Sequence, residues 1–507
     1  FDLMRLGSPS IWMDEAISID VARQPIVTLF AAYSSGAESN MILYYLLLHA
    51  WLALGSALHI AATEAFIRLP SAVFAILASV VVYVLGERFF GRIAAIVAAL
   101  VFTLNGWQLT YAQDARSYSL QLLLVSLTWL GMLAALRPAR LDWRWWSVFV
   151  LSGALSVYTQ AISGVALLAL GMAFGLLIVA PTSWRVRARS AFPAIAAGFV
   201  VIGALIAPFV YASRHGPNMD WLPVPTLSNL VHHALTLGRK DIREVEIALA
   251  LLVILALAVA ALLTPRAARL RVWLLRRDGG ALEGGAIPVV ISLVCWLVIP
   301  VVAIYAVSLG PARVFSGRYL VVVLPALSLL VGAGVARIPW RVPRLGLVAG
   351  GALVLLAMLP AYYAQAQVED WRVPTRWVER NYQPRDGLVA YNNVQGCELP
   401  MEYYLWADGS GARFTPDSPG ALQVNRNTYG NPAANFMDAL DPAALATFAS
   451  HHARIFFIEG RLVDNADVAR VHVAQVWLDT HYHFEAQTSS AVVTIRLYDT
   501  AAPSTPG

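Results

Sequence analysis

The chain has 507 residues, of which 58% are hydrophobic and only 13% charged, and its mean hydropathy is +0.62. A water-soluble domain carries about 25% charge, so this composition excludes an ordinary globular cytosolic protein, a disordered chain and a fibrous one. What remains is a polytopic membrane protein.

Charge divides unevenly along the chain. Residues 1–364 carry 15 acidic and 26 basic side chains, net +11, whereas residues 369–507 carry 16 and 10, net −6. A basic, apolar body followed by an acidic, mixed tail predicts a membrane domain over 1–364, with an outer loop at 1–40, and a small appended domain over 365–507. Lys240 is the only lysine. No stripe of basic and aromatic residues lies outside the loops, so the pI of 9.2 is a topology signal and gives no ground for nucleic-acid binding. Cys295 in an apolar segment and Cys397 in the tail support neither a disulfide framework nor a Cys-based metal site.

The first element in chain order is a loop-like stretch holding Ser10-Ile11-Trp12-Met13-Asp14-Glu15-Ala16. It starts at Phe1, without a Met, which reads as an upstream span lying outside the given sequence. Two adjacent carboxylates beside a Trp at a membrane surface are costly to desolvate, and burial raises a carboxylate pKa. A raised pKa suits a base that takes a proton from a hydroxyl. Adjacent side chains do not share a helix face, so one of the two is expected to enter a site. The plainer reading is a helix start, where acids are favoured in the first turn.

The apolar stretch 41–58 follows, and then ten predicted spans: 69–86, 93–110, 118–136, 146–161, 163–180, 192–213, 246–264, 287–308, 319–336 and 346–364. Alternate connections are rich in arginine: Arg88 and Arg92; Arg137, Arg140 and Arg144; Arg185, Arg187 and Arg189; Arg266 to Arg277; Arg337, Arg341 and Arg344. These predict the cytoplasmic side. Parity then puts 111–117, 214–245, 309–318 and the tail outside. Residues 1–40 share that side only if 41–58 dips into the membrane or lies along it. As an ordinary span, 41–58 would put the two acidic clusters on opposite sides.

Tyr111-Ala112-Gln113-Asp114-Ala115-Arg116-Ser117-Tyr118, in an outer connection, can hold a metal or a phosphate, or form a self-paired interfacial turn. Arg313 and Arg318-Tyr319 stand at the outer mouth of a span. There an Arg either grips phosphate with its planar fork of donors or snorkels to the interface. Glu369-Asp370-Trp371-Arg372 either contacts the membrane site or caps the first helix of the tail. His232 and His233 are adjacent, a poor spacing for chelation on a helix, and read as interfacial. Gly279-Gly280 and Gly284-Gly285 lack a phosphate-loop Lys and read as a linker. In the tail, 388–391, 454–458 and 491–498 read as strands, 466–483 as a helix and 405–435 as loop.

The order of these motifs resembles polytopic glycosyltransferases of the clan C fold that use lipid-linked sugars, specifically the protein O-mannosyltransferase and aminoarabinose transferase superfamily (glycosyltransferase family 39-like). Carrying the resemblance are Trp12-Met13-Asp14-Glu15-Ala16, Leu43-Tyr44-Tyr45-Leu46-Leu47-Leu48-His49, Arg68-Leu69-Pro70-Ser71 and Gly86-Glu87-Arg88-Phe89-Phe90-Gly91-Arg92. Gln113 to Tyr118, Arg318-Tyr319-Leu320 with Pro325, and Asp370-Trp371-Arg372 complete the set, which covers most of 8–372. Before the Leu-Tyr-Tyr run the family often has a His-Pro-Pro or Glu-Lys-Pro type segment, where this chain has Glu38-Ser39-Asn40-Met41-Ile42.

The resemblance implies a mainly α, transmembrane bundle of about eleven helices with a small C-terminal α/β extracytoplasmic domain. It implies a polyprenyl-phosphate sugar as donor and transfer, with inversion, to a lipid, glycan or protein hydroxyl outside a cell or inner membrane. Asp14 is then the base on the acceptor hydroxyl, with Glu15 orienting it. Asp114 lies on the rim and, with Asp14, is the candidate holder of a divalent cation. Arg318 stabilises the departing phosphate, with Arg116 as second candidate, while Tyr118, Arg313 and Tyr319 contact substrate. The rival reading is a transporter or flippase of a lipid-linked or anionic substrate, but such proteins keep charge near the bilayer midplane. Here the acids gather in outer loops. A scaffold with an anchored recognition tail predicts that Asp14→Asn leaves function intact.

Overall fold

In the computed structural model of the chain, the described residues are 2–36, 40–137, 141–180, 184–214, 224–229, 286–338, 341–365, 369–390, 397–407, 436–438, 441–460 and 465–501, with Thr182, Leu222 and Leu462. The predicted span 246–264, His232 and His233, the paired glycines, Glu38 and most of 405–435 lie outside them.

The protein is an integral, multi-pass membrane protein, mainly α with a small C-terminal sheet. Its helices in chain order begin with α1 (Met13–Arg23), α2 (Ile26–Ser35), α3 (Ile42–Ala57), α4 (Glu64–Phe90), α5 (Arg92–Thr103) and α6 (Gly106–Ala112). Next come α7 (Tyr118–Leu136), α8 (Trp143–Thr159), α9 (Ser163–Val179), α10 (Arg185–Ser213), α11 (Ala286–Ser308), α12 (Gly317–Val335) and α13 (Arg341–Gln365). Among the described residues, α4, α7, α10, α11 and α12 are long and apolar enough to cross a membrane, making six spans if α5 and α6 count as one bent pair.

That pair departs from the single span expected at 93–110. The helix breaks by 63° because Asn105 leaves the helical backbone and its side chain accepts from the Trp107 amide at 2.9 Å, starting a new helix. A local cap outweighs the continuous apolar run. α3 has 16 residues, about 24 Å at helical rise, which falls short of a hydrocarbon core of about 30 Å.

Contacts divide the chain into two compact units. One comprises 1–4, 31–44 and 70–362; the other comprises 5–30, 45–69 and 363–507. The first is a helix bundle in which almost every side chain of α7 is buried. Lipid supplies no hydrophobic drive between helices, so packing and interhelical hydrogen bonds hold them. Trp129 of α7 stacks on Trp296 of α11 with ring centroids 4.6 Å apart, and Gln121 donates to the Ser163 hydroxyl of α9 at 3.0 Å. Gly91, between α4 and α5, has φ +93°, a conformation that favours glycine.

On α12, Gly332 lets the backbone approach α5. A Cβ there would collide with the Ala94 carbonyl and stand 3.0 Å from the Ala98 amide. Val97, Val101, Val331 and Val335 close the same seam. Gly332→Ala is therefore expected to destabilise by about 1–3 kcal/mol through overpacking. Gly164→Ala, where a Cβ meets nothing within 4 Å, serves as the control. Thermal unfolding of the detergent-solubilised protein reads the difference.

The second unit contains the tail. Its helices are α14 (Arg372–Asn381), α15 (Leu399–Ala407), α16 (Pro442–Ala449) and α17 (Asn465–His481). Its strands are β1 (Asp386–Ala390), β2 (Phe436–Asp438), β3 (Arg454–Gly460), β4 (His483–Ser490) and β5 (Val493–Asp499). The sheet order is β2-β1-β3-β5-β4, parallel from β2 to β3 and antiparallel from β3 to β4. Val389, Ile455, Phe457, Leu478 and Tyr498 form its core. Asp386 lies opposite Arg454 in the β1–β3 register and takes a two-pronged bond from its guanidinium, at 3.1 and 2.6 Å.

Candidate active site

The two units hold different parts of the expected site. Asp14 and Glu15 belong to the second; Asp114, Arg116, Tyr118, Arg313, Arg318 and Tyr319 belong to the first.

In the second unit, α1 opens with Met13, Asp14 and Glu15, so both acids sit in the first turn, where the helix dipole favours negative charge. Their surroundings differ. Glu15 is fully buried, and its two oxygens take the fork of Arg68 at 2.7 and 2.6 Å; Arg68 itself is 1% exposed. The remaining donors of Arg68 go to the carbonyls of Leu6 at 3.0 Å, Pro9 at 2.8 Å and Ser10 at 3.0 Å. All five N–H groups of the guanidinium are thereby used. Glu15 also accepts from the Trp12 amide at 3.4 Å. Its charge is held in place by Arg68 and the helix start. Asp14, one residue earlier, is 7% exposed, and its carbonyl accepts from the Ser18 hydroxyl.

The loop before α1 is fastened a second time. Arg372 pairs with Glu64 at 2.6 Å and donates to the carbonyls of Gly7, Ser8 and Pro9. Glu369 accepts from the Met13 amide at 3.2 Å and from the Trp371 indole at 2.8 Å, which satisfies one of the open amides of the first turn. The Ser10 hydroxyl accepts from the amides of Trp371 and Arg372 and shares a 2.8 Å bond with the Tyr404 hydroxyl. Tyr404 in turn accepts from the Ile11 amide at 2.7 Å and donates to Glu64 at 3.3 Å. Burial, followed by the neighbouring Glu64 charge, pushes the Tyr404 phenol up to about 12, so it stays a neutral hydrogen-bond partner at any working pH. Thus Glu369 and Arg372 contact the residues around Asp14, whereas Trp371, the N-cap of α14, makes no side-chain cap bond.

In the first unit, Tyr111 lies within electrostatic reach of Asp114, Tyr118, Arg318 and Tyr319, and its ring is 4.4 Å from that of Tyr118. Asp114, Tyr118 and Tyr319 are buried, while Arg116, Arg313 and Arg318 are half-buried. The break after α6 creates this grouping: the chain turns at 113–117, where the Arg116 amide donates to the Asp114 carbonyl at 2.7 Å, and restarts at Tyr118. Ser71 donates to the Arg116 carbonyl at 3.3 Å. Arg313 donates to the Leu222 carbonyl at 3.4 Å. The arrangement can receive an anion, with a carboxylate beside it.

A divalent cation finds little support here. Among the described residues no three His, Cys, Asp or Glu side chains gather as a metal site, and Glu15 is taken by Arg68.

Sequence reasoning missed the roles of Arg68, Glu64 and Tyr404. Arg68 carried a signal: it is a lone charge entering an apolar span, which is expensive unless paired.

No family model matches the chain, and no curated protein matches it. Solved structures do. ArnT from Cupriavidus metallidurans in the apo state is 12% identical, with a TM-score of 0.54 over 96% of this chain and 93% of that one. The same protein bound to undecaprenyl phosphate is 12% identical, with a TM-score of 0.51 over 98% and 95%. The fold is that of the clan C glycosyltransferases.

Proposed function

We propose that this protein is a membrane glycosyltransferase that moves a sugar from a polyprenyl-phosphate donor to an acceptor hydroxyl on the extracytoplasmic side, with inversion. The observation that carries this reading is the division of labour between adjacent acids. Glu15 is committed to Arg68, which leaves the role of base to Asp14. The matching fold of ArnT, described with undecaprenyl phosphate bound, supports the donor class.

In this reading Asp14 takes the proton of the acceptor hydroxyl as its oxygen attacks the anomeric carbon. The bond from that carbon to the phosphate oxygen breaks, and polyprenyl phosphate departs with the electron pair. Charge grows on the leaving phosphate, so a fixed cation beside it lowers the barrier. Arg318 serves there, with Arg116 as second cation. Asp114, on the rim, and Tyr118, Tyr319 and Arg313 position substrate. Residues 1–40 and the tail lie outside, with α3 resting at the membrane face.

The test is direct. Purified protein, offered radiolabelled polyprenyl-phosphate sugars one at a time with acceptor-containing membranes, releases polyprenyl phosphate from at least one donor. A protein that moves intact donor across vesicles without releasing phosphate is the flippase instead. Arg318→Gln is expected to lower the release rate by about 10²- to 10³-fold at saturating acceptor, the scale of losing one charge-stabilising donor. An unchanged rate removes Arg318 from that role.

A further inference from the structure

The motif Gly86 to Arg92 holds a basic residue that the reaction does not use. Arg88 lies in the last turn of α4, and its guanidinium lies over the Trp145 ring of α8, 5.0 Å from the centroid. It is close enough to Arg137, after α7, for their charges to repel. The opposing charge within electrostatic reach of Arg88 is Asp142, whose side chain also accepts from the Arg144 amide at 3.0 Å as the cap of α8. Glu87 accepts from Tyr83 on its own helix. At the start of α10, Arg187 donates to the Arg137 carbonyl at 2.8 Å, and Trp184 meets Phe89 with centroids 6.2 Å apart. Ends of α4, α7, α8 and α10 therefore bring Arg88, Arg137, Arg185 and Arg187 to one place, walled by Trp145 and Trp184.

Among the described residues none of these four arginines forms an ion pair. Among the described residues, the Nε atoms of Arg88 and Arg185 and the Thr182 hydroxyl are closed off from solvent and find no hydrogen-bond partner. Guanidiniums that merely snorkel would keep their donors in water. Four like charges, two of them with a sequestered Nε, against the single carboxylate of Asp142 leave a positive excess that implies an anion supplied from outside the chain. The tryptophans put the cluster at headgroup depth, where phosphodiesters are the abundant anion.

We propose that this cluster is a binding site for the headgroup of an anionic phospholipid, held by Arg88 and Arg185 in the leaflet at the arginine-rich end of the bundle. The chemistry is that of a phosphodiester in the fork of arginine donors, with acyl chains lying against the apolar helix faces.

Native mass spectrometry of the full chain, released from micelles holding equal phosphatidylglycerol and phosphatidylcholine, tests it. The wild type is expected to retain phosphatidylglycerol selectively. Arg88→Gln and Arg185→Gln each weaken retention about fivefold, the ordinary worth of one basic side chain at an anionic surface. Arg341→Gln, an exposed arginine on α13, leaves retention unchanged. Arg88→Lys keeps the charge, loses the fork and falls between. Melting curves of each variant identify any that misfold, and Arg88→Lys then carries the comparison. Equal retention of the two lipids, or undiminished retention in both Gln variants, overturns the proposal. So does stabilisation of the wild type by inorganic phosphate alone to the same extent, which would assign the site to a free anion.

Discussion

Asp14→Asn is expected to lower kcat by about 10²- to 10⁴-fold, the usual contribution of a positioned general base, while donor affinity survives. The carboxamide has the shape of the carboxylate but cannot take the acceptor's proton, so the loss falls on the transition state and not on ground-state binding. Glu15→Gln one residue later separates the roles. Its oxygens face Arg68, and its loss strands a guanidinium that is 1% exposed, so its main effect is on stability. Stopped assays for released polyprenyl phosphate, with donor binding measured separately, distinguish the two acids. An Asp14→Asn enzyme with unchanged turnover removes the base assignment.

Arg68→Ala carries the largest expected effect on folding. Removing one partner of a buried ion pair leaves an uncompensated charge and costs about 3–5 kcal/mol. Here three carbonyls of the 6–10 loop lose their donors as well. The variant should melt far below the wild type in detergent and accumulate poorly in membranes. Arg68→Lys does not restore it, because a point charge cannot match two carboxylate oxygens and three carbonyls at once. Glu15→Ala added to Arg68→Ala should recover part of the loss, since the stranded carboxylate is then gone. A melting temperature unchanged in Arg68→Ala would show that the pair does not hold the loop.

Much of the fold is legible in the sequence because apolar runs of membrane length admit few alternatives. The expected spans 118–136 and 287–308 correspond to α7 and α11 within a residue at each end. The strands β1, β3 and β5 announce themselves by short apolar runs. The strand β4 does not: His483-Phe484-Glu485-Ala486-Gln487-Thr488-Ser489-Ser490 is mostly polar, since an edge strand has one neighbour and its exposed face needs no apolar residues. The break at Asn105 is hidden for a different reason, since one side-chain bond decides it inside an apolar run.

The candidate site is legible only in part. Asp14, Asp114 and Arg318 stand out as charged residues in an apolar chain. That Glu15 meets Arg68 across 53 residues, or that Tyr404 and Glu369 fasten the start of α1, depends on tertiary contacts that no local pattern encodes. The second compact unit makes the same point. It draws 5–30 and 45–69 together with 363–507, and no linear reading of composition joins segments that far apart.

The most direct measurement is the anomeric configuration of the sugar before and after transfer, read by nuclear magnetic resonance on the donor and on the purified product. A single attack by a hydroxyl that Asp14 has activated requires that the configuration invert. A product that retains the donor's configuration would contradict that account, because it would require a second displacement on a covalent intermediate.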